Sequence, residues 1–148
     1  MHSITPADPT NLSPALELLK GNKLPTEDIG EATLLFVATE NDSVIGTIGI
    51  EFYGDAGLLR SLAVAETKRN TGLGKKLLLF LEDFARQKGL KELLLLTTTA
   101  ADFFTKNGYT PVEREETGEA IKRSSEFTTT CPSSAHVMKK DLHAITGV

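Results

Sequence analysis

Residues 69 to 76 read RNTGLGKK, a short run that gathers a guanidinium, two glycines one residue apart and two ammonium groups. Those residue types suit one kind of chemistry, the holding of a phosphate-like anion. If a helix begins here, the backbone N–H groups from about Thr71 to Lys75 have no intrahelical acceptor, and the positive end of the helix dipole lies among them. Gly72 and Gly74 remove side chains that would keep an anion off the backbone. Arg69 with Lys75 or Lys76 adds charge-assisted hydrogen bonds. A dinucleotide fingerprint starting at Gly72 would need glycine at 77, where Leu77 stands. A P-loop ending at Gly74 and Lys75 would need glycine at 69 and a hydroxyl at 76, where Arg69 and Lys76 stand. A pyrophosphate suits the turn; a glycine-softened turn with solvated lysines is the plain alternative.

Other chemistries lack their residues. There is no GxSxG elbow, and His2, His136 and His143 show no ligand spacing, so no metal site is expected. The one cysteine, Cys131, excludes an intrachain disulfide framework and a multi-cysteine zinc site. Before Pro132 it reads as a small buried residue.

The anion turn works only if a strand delivers it and a helix leaves it. LLRSLAV at 58–64 is an apolar strand. After the glycines the period turns helical, with Leu73, Leu77, Phe80 or Leu81, and Phe84 at spacings of three and four, until Gly89 ends the helix. KELLLLTTT at 91–99 is then a buried strand, and a strand–helix–strand crossover makes it parallel to 58–64. Upstream, TLLFVAT at 33–39 and VIGTIGIEF at 44–52 flank the turn ENDS as a hairpin. By the period of two, Val44, Ile48, Ile50 and Phe52 share one face of the second run, and Ile45, Thr47 and Glu51 share the other. Ser13 and Pro14 signal a helix start that Gly21 stops, and a second short helix follows Thr26. ADFFTK is a short helix ended by Gly108, a polar segment with helical character covers 117–125, and HVMKK is a last strand. The order ααβββαβαβ describes a mixed α/β fold with an antiparallel front half and one parallel crossover.

At 148 residues, with 40% apolar and 24% charged, the chain suits one domain over residues 1–148 with a sizeable core. A formal charge of −4 gives no basic excess for gripping nucleic acid, so any anion is bound locally. MHSITPADPT lacks the basic and apolar regions of a signal sequence, and no apolar run approaches a membrane span. The expectation is a soluble cytoplasmic protein.

The stretch LAVAETKRNTGLGKKLL resembles the acetyl-CoA-binding segment of the GNAT N-acetyltransferases, an apolar strand followed by (R/Q)xxGx(G/A) opening a helix. Arg69, Gly72 and Gly74 fit that pattern, and LLLLTTT, ADFFTKNGY and the Gly108–Tyr109 step correspond to later elements of the family. The resemblance implies the GNAT fold and acetyl transfer from acetyl-CoA to an amine. It assigns the pyrophosphate to Arg69, Asn70, Thr71, Gly72, Leu73, Gly74 and Lys75. It lays the pantetheine arm between two splayed strands, along the backbone of Leu62, Ala63 and Val64, and it implies a homodimer. LLRSLAV, LTTTAADFF and EFTTTCPSSAHVM are similar, more narrowly, to small GNAT proteins of arsenic-resistance operons that acetylate arsinothricin, a glutamate-like antibiotic. The implied substrate is then an amino-acid-like amine with a carboxylate.

Acetyl transfer asks for a neutral amine, a base for its proton, a donor for the thioester oxyanion and a fate for the thiolate. The family's usual acid, a tyrosine of the late helix, aligns with Phe104, which has no proton to give but lies at the cofactor. Ser61 or the hydroxyls of Thr97, Thr98 and Thr99 stand in, and a thiol with a pKa of about 8.5 also leaves tolerably as thiolate. Tyr53 and Tyr109 are the remaining phenols, the latter at the family's core aromatic step. Glu51, beside the pantetheine strand, is the candidate base. Arg60 shares a face with Leu62 and is placed to clasp a substrate carboxylate, with Glu51, Lys122 and Arg123 as further substrate-side groups. The alternatives are a solvated Glu51, or an Arg60–Glu51 pair that joins two strands. A different class also stays open, a GNAT-fold module that binds CoA for sensing or assembly without turnover.

Overall fold

The computed structural model describes residues 3–21, 33–97, 100–113 and 136–142. The helix expected after Thr26, the polar segment at 117–125 and residues His2, Thr98, Thr99, Lys122, Arg123, Cys131 and His143 lie outside them. Within the described residues the order is β1 (Ser3–Pro6), α1 (Leu12–Gly21), β2 (Thr33–Glu40), β3 (Ser43–Tyr53), β4 (Ala56–Val64), a 3₁₀ turn (Glu66–Lys68), α2 (Leu73–Gln87), β5 (Glu92–Thr97), α3 (Ala101–Lys106), β6 (Thr110–Pro111) and β7 (His136–Asp141). The strands form one mixed sheet in the order β1-β2-β3-β4-β5-β7-β6. The expected parallel pair is β4 with β5, through Ala56, Gly57 and Leu58 against Glu92, Leu93 and Leu94. Two strands had not been expected, β1 and β6. Each is short, contains a proline and borders the sheet, where a missing N–H is tolerated.

The chain packs as two compact units. The first comprises residues up to Glu51 together with Leu59–Leu81. Its β2–β3 hairpin closes through Asn41 and Asp42, both at positive φ (51° and 64°), the primed turn whose twist matches paired strands. Residues Ile45 to Glu51 of β3 are all buried, so both faces of this strand are covered, not one as alternation alone suggested. Helix α2 comes close to the sheet at Gly46, where a Cβ would stand 2.9 Å from Leu77 Cδ1 and 3.3 Å from Leu73 Cδ2. Ala15, Leu35 and Val37 pack together under α1. That helix starts at Leu12, one residue before the expected Ser13 cap. The preceding turn is held by Asp8, whose carboxylate accepts the Thr10 hydroxyl and the N–H groups of Thr10 and Asn11. These bonds, the Thr10 hydroxyl foremost, hold the Asp8 carboxyl below its usual range.

The second unit comprises Phe52–Leu58 and the chain from Glu82 onward. Ala56, Leu58, Leu94 and Val137 form its apolar cluster, with Tyr53, Leu96 and Val112 against it. Strands β5 and β7 pair antiparallel from Glu92↔Asp141 to Thr97↔His136. Helix α3 ends as expected at Gly108 (φ 96°), with the Tyr109 N–H returning to Phe104 O at 3.0 Å.

Candidate functional site

The turn that enters α2 is built by strand β4 and locked from behind. The Ala65 N–H bonds Ile45 O (2.8 Å), the Lys68 N–H closes the 3₁₀ turn on Ala65 O (2.8 Å), and Lys68 Nζ pairs with Glu40. Lys68 is thereby committed to β2. Asn70 (φ 63°) and Gly72 (φ 86°) then reverse the chain, with the Thr71 hydroxyl donating to Lys68 O. The helical ladder opens with Lys76 N–H to Gly72 O at 3.1 Å, so the N–H groups of Leu73, Gly74 and Lys75 precede it. A Cβ at Gly72 would meet nothing within 4 Å. The left-handed φ is what requires glycine here, and the space above it is open. Arg69, Asn70, Thr71, Lys75 and Lys76 are exposed around it. Exposed basic side chains, N–H groups ahead of the helical ladder and open space above Gly72 are the features an anion would need.

In the same unit β4 passes Arg60, Ser61, Leu62, Ala63 and Val64 in sequence, and the structure brings Arg60, Ser61 and Glu51 together. Arg60 Nη1 donates to Glu51 Oε2 at 2.9 Å, with the two side chains 0% and 4% exposed. The Thr33 hydroxyl donates to the same oxygen at 2.7 Å. Thr33 stands directly across the ladder from Glu51. Arg60 Nε donates to Ser61 Oγ at 3.3 Å. Ser61 itself lies at φ 60° in mid-strand, a left-handed backbone that costs a non-glycine residue roughly 1–3 kcal/mol and persists only where surroundings hold it. Thr47, fully buried on β3, supplies that hold by donating its hydroxyl to Ser61 O at 2.7 Å. Such kinks re-aim a strand, and they gather beside active sites.

In the second unit, Phe104 is 4% exposed and packs edge-on against Phe103 (5.2 Å) and Tyr109 (5.5 Å). The Tyr109 phenol is buried and donates to Glu82 Oε2 at 3.0 Å. Burial, and then the Glu82 carboxylate, push its pKa far above the ordinary phenol value of 10.0, so Tyr109 keeps its proton and is a poor acid for a leaving thiolate. The Thr97 hydroxyl accepts the Ala100 N–H at 2.9 Å and shapes the turn into α3. Tyr53 packs into the apolar cluster, and His136 is exposed at the start of β7. No group of three or more His, Cys, Asp or Glu residues able to hold a metal occurs among the described residues, and no helix among them is long and apolar enough to cross a membrane. Sequence reasoning did not single out Thr33 as a partner of Glu51, Thr47 as a partner of Ser61, or Glu82 and Lys140. A hairpin register counted outward from the ENDS turn would set Thr33 across from Ile50; the shift between Ala38 and Thr39 moves it one residue on, to Glu51.

Because the Tyr109 phenol has a higher pKa folded than unfolded, its stabilisation is complete below the unfolded value and lost as pH rises past about 10. Thermal melts between about pH 9 and pH 11 should therefore fall more steeply for the parent than for Tyr109→Phe. Parallel curves would show that the phenol stays solvated.

The family model of the acetyltransferase (GNAT) domain matches residues 31–111. An uncharacterised N-acetyltransferase of Chlorobaculum tepidum is 37% identical over 98 residues, 66% of this chain and 61% of that protein. The amino-acid acetyltransferase of Pseudomonas fluorescens is 47% identical over 62 residues, 40% of this chain and 14% of the relative. The matched stretches thus span less than two thirds of the length of these relatives. Among solved structures, N-acetylglutamate synthase of Neisseria gonorrhoeae, complexed with coenzyme A and N-acetyl-glutamate, superposes with a TM-score of 0.82 at 19% identity, covering 97% of this chain and 35% of that one. A GNAT-family acetyltransferase of Staphylococcus aureus Mu50 does so with a TM-score of 0.78 at 17% identity, over 97% and 100% of the two chains. At those identities the structural likeness speaks to the fold.

Proposed function

This chain belongs to the GNAT acetyltransferase family, and from that premise we propose that it transfers an acetyl group from acetyl-CoA to the amine of a small, amino-acid-like molecule in the cytoplasm. The observation that carries the proposal is the left-handed Gly72 turn opening α2 directly after β4, with open space above the glycine. The residues present fit the cosubstrate. Backbone N–H groups from Thr71 to Lys75 and the Arg69 guanidinium would hold its pyrophosphate. The backbone of Leu62, Ala63 and Val64, where β4 runs on past its short ladder with β5, would hold the amide-bearing arm. When bound, the thioester supplies an activated acetyl group and a thiolate able to leave near neutral pH.

The chain's own residues then orient and exclude water. The Ser61 kink is held by Thr47 and Arg60, and the β4 backbone that follows it would present its polar groups to the bound thioester. Glu51, joined to this kink through Arg60, is assigned to ordering or deprotonating the amine, with its charge shared by Arg60 and Thr33. Glu51→Gln is expected to lower the rate and shift its pH dependence. An unchanged pH–rate profile in the folded variant would remove Glu51 from the mechanism. Arg60 is already committed to Glu51 and Ser61 with a covered side chain, an arrangement that favours bracing of β3 against β4 over reaching for a substrate carboxylate.

The names of the partial relatives, amino-acid acetyltransferases, support an α-amine with a carboxylate as the acceptor. Glutamate analogues, arsinothricin included, are the proposed class. Thiol release from acetyl-CoA across a panel of amino acids, simple amines and lysine peptides tests both levels. Faster turnover of simple amines or peptides would sink the amino-acid reading. Acetyl-CoA binding without thiol release from any amine would favour a non-catalytic CoA-binding module, for which Phe104 in place of the usual tyrosine is the supporting feature.

A further inference from the structure

We propose that Lys68 and Glu40 are positioning residues that hold the turn into α2 in its anion-receiving form, so that Lys68 acts on the cosubstrate through the backbone of the turn and not as a phosphate ligand. The functional half of this inference rests on the acetyl-CoA reading above; the hold on the turn does not. Of the basic side chains between residues 68 and 76, Arg69, Lys75 and Lys76 are exposed and Lys68 is not. The Lys68 ammonium is paired with Glu40 Oε1, the two side chains being 29% and 23% exposed. Glu40 is the last residue of β2 and stands across the ladder from Ser43, the first of β3. The pair therefore fastens the turn to the tip of the β2–β3 hairpin.

Three groups of Lys68 meet three parts of the structure. Its N–H donates to Ala65 O at 2.8 Å, its carbonyl accepts the Thr71 hydroxyl, and its ammonium reaches Glu40. The Ala65 N–H in turn donates to Ile45 O at 2.8 Å, which ties the entry of the turn to β3. Asn70 (φ 63°) and Gly72 (φ 86°) follow, two left-handed residues within three positions. Such a backbone keeps its shape only where its surroundings fix it. The Thr71 hydroxyl fixes it on the Lys68 carbonyl, so a displacement of Lys68 carries the peptide groups ahead of α2 with it. Fields and positioning predict opposite signs for Glu40. A carboxylate near an anion site repels the anion, so neutralising Glu40 tightens binding if the pair acts through its charges alone. If the pair holds the turn, the same change lowers the fraction of molecules with the turn formed, and the apparent affinity falls in proportion.

Glu40→Gln, Lys68→Met, the double variant and the charge-keeping Lys68→Arg test the pair. By calorimetry on the full chain, the Kd for acetyl-CoA is expected to rise about fivefold in each of the first two, to rise no further in the double variant, and to return to within about twofold of the parent in Lys68→Arg. Hydrogen exchange without acetyl-CoA is expected to quicken about fivefold at residues 68 to 76 in Glu40→Gln and in Lys68→Met, with the amides of Thr47 to Ile50 unmoved. Binding by Glu40→Gln that equals or exceeds that of the parent overturns the positioning role, as do losses that add in the double variant. Exchange that is unchanged at 68 to 76, or that quickens evenly along the chain, overturns the hold on the turn. If the parent itself fails to bind acetyl-CoA, the proposed function falls, and the exchange measurement still decides the hold.

Discussion

Gly72→Glu is expected to weaken acetyl-CoA binding by roughly a thousandfold while the protein remains folded. The carboxylate would enter the open space above the α2 turn, where the pyrophosphate is proposed to sit, and two like charges about 4 Å apart at a surface-like dielectric repel by about 4 kcal/mol. Stability changes less, because a Cβ at Gly72 meets no neighbour within 4 Å and the main cost is the left-handed φ of 86°, about 1–2 kcal/mol for an L-residue. Gly72→Ala carries that conformational cost without the charge, so it should bind acetyl-CoA within about tenfold of the parent. Calorimetry on the pair, with circular dichroism to confirm folding, separates repulsion from strain. Equal binding by Gly72→Glu and the parent would place the cosubstrate elsewhere.

Arg60→Met is expected to remove about 3–5 kcal/mol of stability, the cost of leaving the buried Glu51 carboxylate without its cation. A single domain commonly has only about 5–15 kcal/mol to lose, so the variant should unfold at far lower denaturant or not accumulate at all. Pairing it with Glu51→Leu should restore much of the loss, since the charge pair is then replaced by apolar groups rather than broken. Denaturant midpoints of the two single variants and the double variant measure the coupling. If Arg60→Met instead keeps its midpoint, and the KM for a glutamate-like amine rises while that for acetyl-CoA stays put, Arg60 binds substrate carboxylate and the brace is refuted.

The elements that flank the glycine turn were legible because each rests on local rules. Apolar spacing marked α2, its glycine marked the end, and the crossover from 58–64 to 91–99 left the parallel pairing little freedom. The RNTGLGKK turn needed only chain order, since its donors are consecutive backbone groups. Strands β1 and β6 were missed because neither has a pattern of its own; they are strands by virtue of pairing with β2 and β7.

By itself the sequence determined a mixed α/β fold, the glycine turn that opens α2 and the family that turn signals, all through residues near one another in the chain. What each polar side chain bonds was decided by tertiary structure. Thr33 reaches Glu51 only through hairpin register, and the Ser61 kink exists only against Thr47 of the neighbouring strand. Glu82 finds Tyr109 and Lys140 at separations of 27 and 58 residues. A buried charge or a left-handed mid-strand residue is affordable only with a partner at hydrogen-bond distance, and local periodicity carries no information about which remote residue the packed sheet brings there.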